Sequence, residues 1–216
     1  PSVLVGDFLI SRSFQMVVNV GNMKILKILS NADNKIAEAQ LLQLVNCKNP
    51  DTSEDQYMEV IRYKTAKMFE ASAQSGAVLA QPDSATEQAF ATYADHLGCA
   101  FQLVDDVLDY NGSADTMGKN VGDDLAEGKT TLPLIYALQH ASESEKQLIR
   151  SAILTGGLEN IDAITNTVKE CGALEYTMQK AREKAGLAKQ AIDDVSDSIY
   201  KEALMALCDL AVQRNH

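Results

Sequence analysis

Four prolines punctuate the 216-residue chain, Pro1, Pro50, Pro82 and Pro133, and each stands where a helix could begin. Proline is tolerated in the first turn of a helix and breaks one further in, because it fixes φ and lacks the backbone N–H. The tail from Leu134 to His216 therefore holds no obstacle to long helices. Strand signals are poor. β-Branched runs are short and seldom alternate, whereas Ala, Leu, Gln, Glu, Lys and Met dominate, all good helix formers. The expected fold class is all-α, with helices over about 4–20, 22–47, 52–80, 84–110, 130–140, 143–155, 160–171, 173–194 and 197–213. Pro50-Asp51-Thr52-Ser53 and Pro82-Asp83-Ser84 offer caps with acids in the following turn, and Ser142-Glu143-Ser144-Glu145 is similar. No repeat or linker breaks the composition, so residues 1–216 are expected to form one domain.

Thirty acids against nineteen bases give a net charge of −11, which disfavours non-specific attraction to nucleic acid or an anionic membrane. A phosphate-bearing ligand would need a local device, either metal ions or a few placed lysines. Cys47, Cys99, Cys171 and Cys208 are scattered, without zinc spacing or a disulfide framework, which fits a reducing compartment. No run of about 18 apolar residues and no signal peptide is apparent, so no transmembrane segment and a cytoplasmic location are expected. The chain opens on Pro1-Ser2-Val3 and not on Met, which leaves open that residues lie upstream.

The sharpest local feature is Phe101-Gln102-Leu103-Val104-Asp105-Asp106-Val107-Leu108-Asp109-Tyr110. Asp105 and Asp109 stand one turn apart on one helix face with Asp106 beside them, and Gln102 and Asp95 extend the polar stripe. Asn111-Gly112 supplies a helix stop, which puts three negative charges in the last turns, where the helix dipole disfavours them. Carboxylates at i and i+4 are hard oxygen ligands suited to Mg²⁺ bridging to substrate phosphates; the competing reading is a solvated acidic face. An EF-hand fails on position, since Asn120 stands where the bidentate Glu belongs.

A second cluster is Tyr63-Lys64-Thr65-Ala66-Lys67, where Lys64 supplies a point charge and Thr65 a hydroxyl suited to diphosphate oxygens. A third segment, from Asn111 to Lys129, is charged and rich in glycine, with Asp115, Lys119, Asp123, Asp124, Glu127 and Lys129. A loop of this length is usually functional or disordered. It is not a P-loop, because G-x-x-x-x-G-K-[ST] is missing. His96, His140 and His216 lie far apart and suggest no triad.

Phe101 to Asp109, followed by Gly118-Lys119-Asn120-Val121-Gly122-Asp123-Asp124-Leu125-Ala126-Glu127-Gly128-Lys129-Thr130-Thr131-Leu132-Pro133, resembles the second aspartate-rich region of the trans-polyprenyl diphosphate synthase family. Val5-Gly6-Asp7-Phe8-Leu9 and Tyr63-Lys64-Thr65-Ala66 match in the same order, and the likeness extends to Cys171-Gly172-Ala173-Leu174-Glu175. The chain looks most similar to the bacterial octaprenyl-forming members. The resemblance implies an all-α bundle around a cavity, usually a homodimer. It implies Mg²⁺-dependent condensation of an allylic polyprenyl diphosphate, such as farnesyl diphosphate, with isopentenyl diphosphate, giving a long product for quinone side chains. By the same resemblance, Asp105, Asp106 and Asp109 would hold metal directly or through water. Lys64, Thr65 and Gln102 would contact the allylic diphosphate, and Lys119 and Lys129 would neutralise it at the rim.

Departures from the family pattern matter equally. The first aspartate-rich motif, its following arginine pair and the isopentenyl diphosphate site precede Val5-Gly6-Asp7-Phe8-Leu9 in the family, and this sequence begins only a few residues before that stretch. The expectation is an N-terminally shortened chain that has little activity by itself. The alternative is a non-catalytic, synthase-like subunit that binds a catalytic partner; retention of D-D-x-x-D and Lys64-Thr65 favours the enzyme.

Overall fold

The computed structural model describes residues 2–111 and 121–214. The described residues are helical and contain no strand, in agreement with the all-α expectation. In chain order the helices are α1 (Ser2–Val20), α2 (Met23–Asn46), α3 (Glu54–Ile61), α4 (Lys67–Leu79), α5 (Ser84–Asn111), α6 (Asp123–Ala126), α7 (Leu132–His140), α8 (Glu143–Thr155), α9 (Ile161–Glu170), α10 (Ala173–Ala191) and α11 (Ile199–Gln213). A π-helical turn, Arg62–Ala66, joins α3 to α4.

Caps fix most of these boundaries. Ser53 and Gln56 form a reciprocal capping box at α3, and Asn22 accepts from the Lys24 and Ile25 amides at the start of α2. Pro133 lies in the first turn of α7, and Gly156, with φ 70°, ends α8 in the left-handed conformation. Two expectations are adjusted. The helix expected over 52–80 is interrupted by the π turn, and the charged loop carries the short helix α6.

Helix α5 is the central element and packs on α4, α10 and α11. Its buried Leu103, Val104 and Leu108 meet Tyr57, Ile61, Leu132, Ile135 and Ala181, while Tyr93, Leu97 and Ala100 meet Ala185, Ala188, Ile192 and Cys208. Each fully buried leucine contributes about 1.5–3 kcal/mol. A third cluster joins Tyr110 and Leu125 to α7, α8 and α9. Gly98 permits one close crossing: a Cβ there would lie 2.5 Å from the Ala66 Cα, so α5 rests directly against the π turn.

Helix α1 is the exception. It buries none of its residues and exposes Val3, Leu4, Phe8, Leu9, Ile10 and Phe14. It bears on the expectation of no membrane-spanning segment by length and composition alone. Its 19 residues, with mean hydropathy 1.3 over the best window, are long and apolar enough to cross a membrane by length and composition. Asp7 and Arg12 interrupt the apolar run, yet two charges leave the mean hydropathy of its best window at 1.3.

Candidate functional site

A small cleft opens where the end of α2, the π turn, the C-terminal half of α5 and the Asp124–Thr131 segment converge. Lys64, Thr65, Gln102, Asp106 and Lys129 all line it. Three segments distant in sequence thus bring five of the eight candidate residues to one place. The π turn advances the backbone register, and such turns concentrate at functional sites.

The polar groups form a chain. The Thr65 hydroxyl donates to Gln102 Oε1 (2.9 Å), Gln102 Nε2 donates to Asp106 Oδ1 (2.8 Å), and the Tyr57 hydroxyl donates to Asp106 Oδ2 (2.6 Å). Lys64 Nζ reaches Gln43 Oε1 at 2.7 Å. Lys129 Nζ lies 2.7 Å from both Asp124 Oδ1 and Glu127 Oε2. Its segment is pinned to the end of α2: Lys48 N donates to Gly128 O at 2.8 Å and Cys47 Sγ to Glu127 O at 3.0 Å. Gly128 is required there, because φ is 74° and a Cβ would meet Cys47 Sγ at 2.9 Å.

The electrostatics record a crowd of carboxylates. Burial, and then the charge of Asp124, push Asp106 up to about 7 against the donors Tyr57 and Gln102. The same causes in the same order push Asp109 up to about 7. Burial and the neighbouring Lys129 lower Lys64. Lys129 moves the other way, since its bonds to Asp124 and Glu127 outweigh its desolvation.

The three motif aspartates do not play identical parts. Asp106 faces the cleft and is 1% exposed. Asp109 is buried beyond it, with Oδ2 lacking a hydrogen-bond partner, and its backbone carbonyl accepts from Gly122 N at 3.1 Å. Asp105, with its side chain 35% exposed, lies 3.7 Å from Arg214, whose guanidinium stacks on Phe101. Asp95, farther up the stripe, pairs with Arg62. Among the described residues no three carboxylates converge into a preformed metal cage. Lys119 and its neighbours from 112 to 120 lie outside the described residues.

The donor set nonetheless fits a divalent cation. Asp109 presents a buried oxygen without a partner, and Asp106 and Asp109 are short of positive charge where they stand. Carboxylate oxygens suit Mg²⁺ or Ca²⁺, and Mg²⁺ commonly keeps waters and takes one or two carboxylates. Tyr57, Gln43 and Gly98 were missed in the sequence, and Asp124 was seen as loop charge without a role. Tyr57 stands seven residues before Lys64, two turns along, which is the one signal that could have joined it to the site.

The polyprenyl synthetase family pattern matches residues 1–171. This chain belongs to the polyprenyl synthetase family. It is 46% identical over 215 residues to octaprenyl diphosphate synthase of Escherichia coli (strain K12), covering 99% of this chain and 67% of that protein. It is 48% identical over 216 residues to octaprenyl diphosphate synthase of Haemophilus influenzae, covering 100% of this chain and 66% of that one. The chain thus spans about two thirds of the length of these relatives. The crystal structure of polyprenyl synthase from Caulobacter crescentus CB15, complexed with calcium and isoprenyl diphosphate, superposes with a TM-score of 0.95 at 40% identity, over 100% of this chain and 66% of that one.

Proposed function

We propose that the protein is a prenyltransferase that condenses an allylic polyprenyl diphosphate with isopentenyl diphosphate, with an octaprenyl diphosphate for quinone side chains as its product. The observation that carries this is the convergence of Lys64, Gln102 and Lys129 beside Asp106 in one cleft of an otherwise acidic protein. The identity of its relatives supports the reaction class and the product length.

Lys64 and Lys129 offer positive charge to the diphosphate, and Gln102 offers an amide N–H. Thr65 already gives its proton to Gln102, so it reaches a phosphate oxygen only by releasing that bond. Asp105, Asp106 and Asp109 are the residues that would hold Mg²⁺, directly or through water. When bound, Mg²⁺ stabilises the charge on the departing diphosphate. Val60 and Ile61 line the same cleft and give the isoprenoid end an apolar wall that excludes water. The working form is a homodimer.

The test is an assay of the full-length natural protein with farnesyl and isopentenyl diphosphates. Turnover requires Mg²⁺ and stops with EDTA. Asp105→Ala lowers the rate by about a hundredfold or more with circular dichroism unchanged. An unchanged rate removes Asp105 from the mechanism, and no condensation by the natural protein overturns the reading.

A further inference from the structure

The Gln102 amide can point either of its ends at the cleft, and only one end suits an anion. In the observed orientation Nε2 donates to Asp106 and Oε1 accepts from Thr65, which leaves one Gln102 N–H for a ligand. Turned over, the amide would direct its oxygen at the Asp106 carboxylate and carry its acceptor side to the ligand position. The two orientations have the same shape, so packing alone does not choose between them. Hydrogen bonding does.

Tyr57 sets the far end of this choice. Tyr57 is 5% exposed within the cluster formed with Ile61, Leu103, Val104 and Leu108, so its hydroxyl is held in place by the core. That hydroxyl occupies Asp106 Oδ2 and so turns Oδ1 toward Gln102. Thr65, on the π turn, holds the amide in place from the other side by donating to Oε1; because its hydroxyl can also accept, Thr65 fixes where the amide sits and the acceptor-only Asp106 carboxylate decides which end faces the ligand.

We propose that Tyr57 and Thr65 are positioning residues that lock the Gln102 amide with its free N–H facing the diphosphate. The proposal rests on the reading of the cleft as a diphosphate site and adds Tyr57 to it. Tyr57 touches no substrate; it acts through Asp106. Thr65 is correspondingly an anchor of Gln102 first and a ligand contact second.

The experiment is a thermodynamic cycle on the full-length natural protein, read by calorimetric binding of inorganic pyrophosphate in Mg²⁺. Tyr57→Phe weakens pyrophosphate about tenfold, as expected for one hydrogen bond to a charged group, with the thermal midpoint moved by only a few degrees. In a Gln102→Leu background the same substitution has no further effect, because the amide it orients is gone. Unchanged affinity in Tyr57→Phe overturns the proposal, and so does an equal loss in both backgrounds, which is the mark of a general structural role. Should Tyr57→Phe fail to fold, Thr65→Val enters the same cycle with the same criteria: a loss that vanishes with Gln102→Leu supports the anchor, and a loss that persists overturns it. If the unmodified protein does not take up pyrophosphate at all, the diphosphate reading fails and the relay with it. Uptake by the unmodified protein with no coupling to Gln102 overturns the relay alone.

Discussion

Asp106 and Asp109 show how strongly a folded environment can change a side chain. Both rise from the ordinary carboxylate range to about 7, through burial first and Asp124 second. A carboxyl whose pKa is raised on folding takes up protons that the unfolded chain has already released. The stability this provides is complete below about 4 and is lost as the pH climbs to about 7. The metal-free protein should therefore melt higher near pH 5 than near pH 8. A divalent cation favours the charged forms, so millimolar Mg²⁺ should raise the midpoint at pH 8 more than at pH 5. Melting curves at both pH values, with EDTA and with Mg²⁺, check this. A cation effect independent of pH would show that these two aspartates do not sense the metal.

Element packing places the residues. The π turn carries Lys64 and Thr65, and α5 carries Gln102 and Asp106; Gly98 is where the two come closest. Gly98→Ala gains about 1 kcal/mol of helix propensity. Against this stands a Cβ 2.5 Å from the Ala66 Cα and 2.8 Å from its Cβ. No side-chain rotation relieves a clash with backbone, so the helices must separate, at a cost of about 1–3 kcal/mol. The expected outcome is a lower melting temperature together with weaker Mg²⁺-pyrophosphate binding, since Thr65 is drawn away from Gln102. Unchanged binding alongside lower stability would mean that the site tolerates the shift.

At the scale of the whole molecule, α1 stands apart. A helix with no buried residue and large exposed apolar side chains is an interaction surface or an aggregation liability. The 216-residue chain studied alone should bind the dye ANS and self-associate at micromolar concentration, and a chain starting at Asn22 should do so much less. Fluorescence and light scattering read the difference, and equal dye binding by both would place the exposed apolar surface elsewhere. The same 216 residues hold one aspartate-rich segment at the cleft, Asp105 to Asp109, where the family resemblance implies two; the other D-D-x-x-D spacing, Asp193 to Asp197, follows α10 and does not line the cleft. Alone, they should show little synthase turnover in the farnesyl and isopentenyl diphosphate assay.

Much of this was legible in the chain before it was folded. Proline placement, caps and helix formers set the helices, and Ser53 and Ser142 cap as their residue types predict. The spacing of Asp105, Asp106 and Asp109 marked one helix end, and the family resemblance joined Lys64-Thr65 and Lys129 to it; the fold brings Lys64, Thr65, Asp106 and Lys129 to one cleft. What the sequence left undecided depends on contacts between distant segments. Local residue preferences do not distinguish the π turn at Arg62–Ala66 from continuing α-helix, and Gly98 reads as an ordinary glycine until Ala66 lies against it. Tyr57 lies 49 residues from Asp106 and meets it only across a packed interface. Spacing by itself made the three aspartates equivalent. Tertiary structure separated them, burying Asp106 under two donors, leaving an oxygen of Asp109 without one and setting Asp105 beside Arg214, because burial and partners, which set the chemistry of a carboxylate, exist only once helices pack.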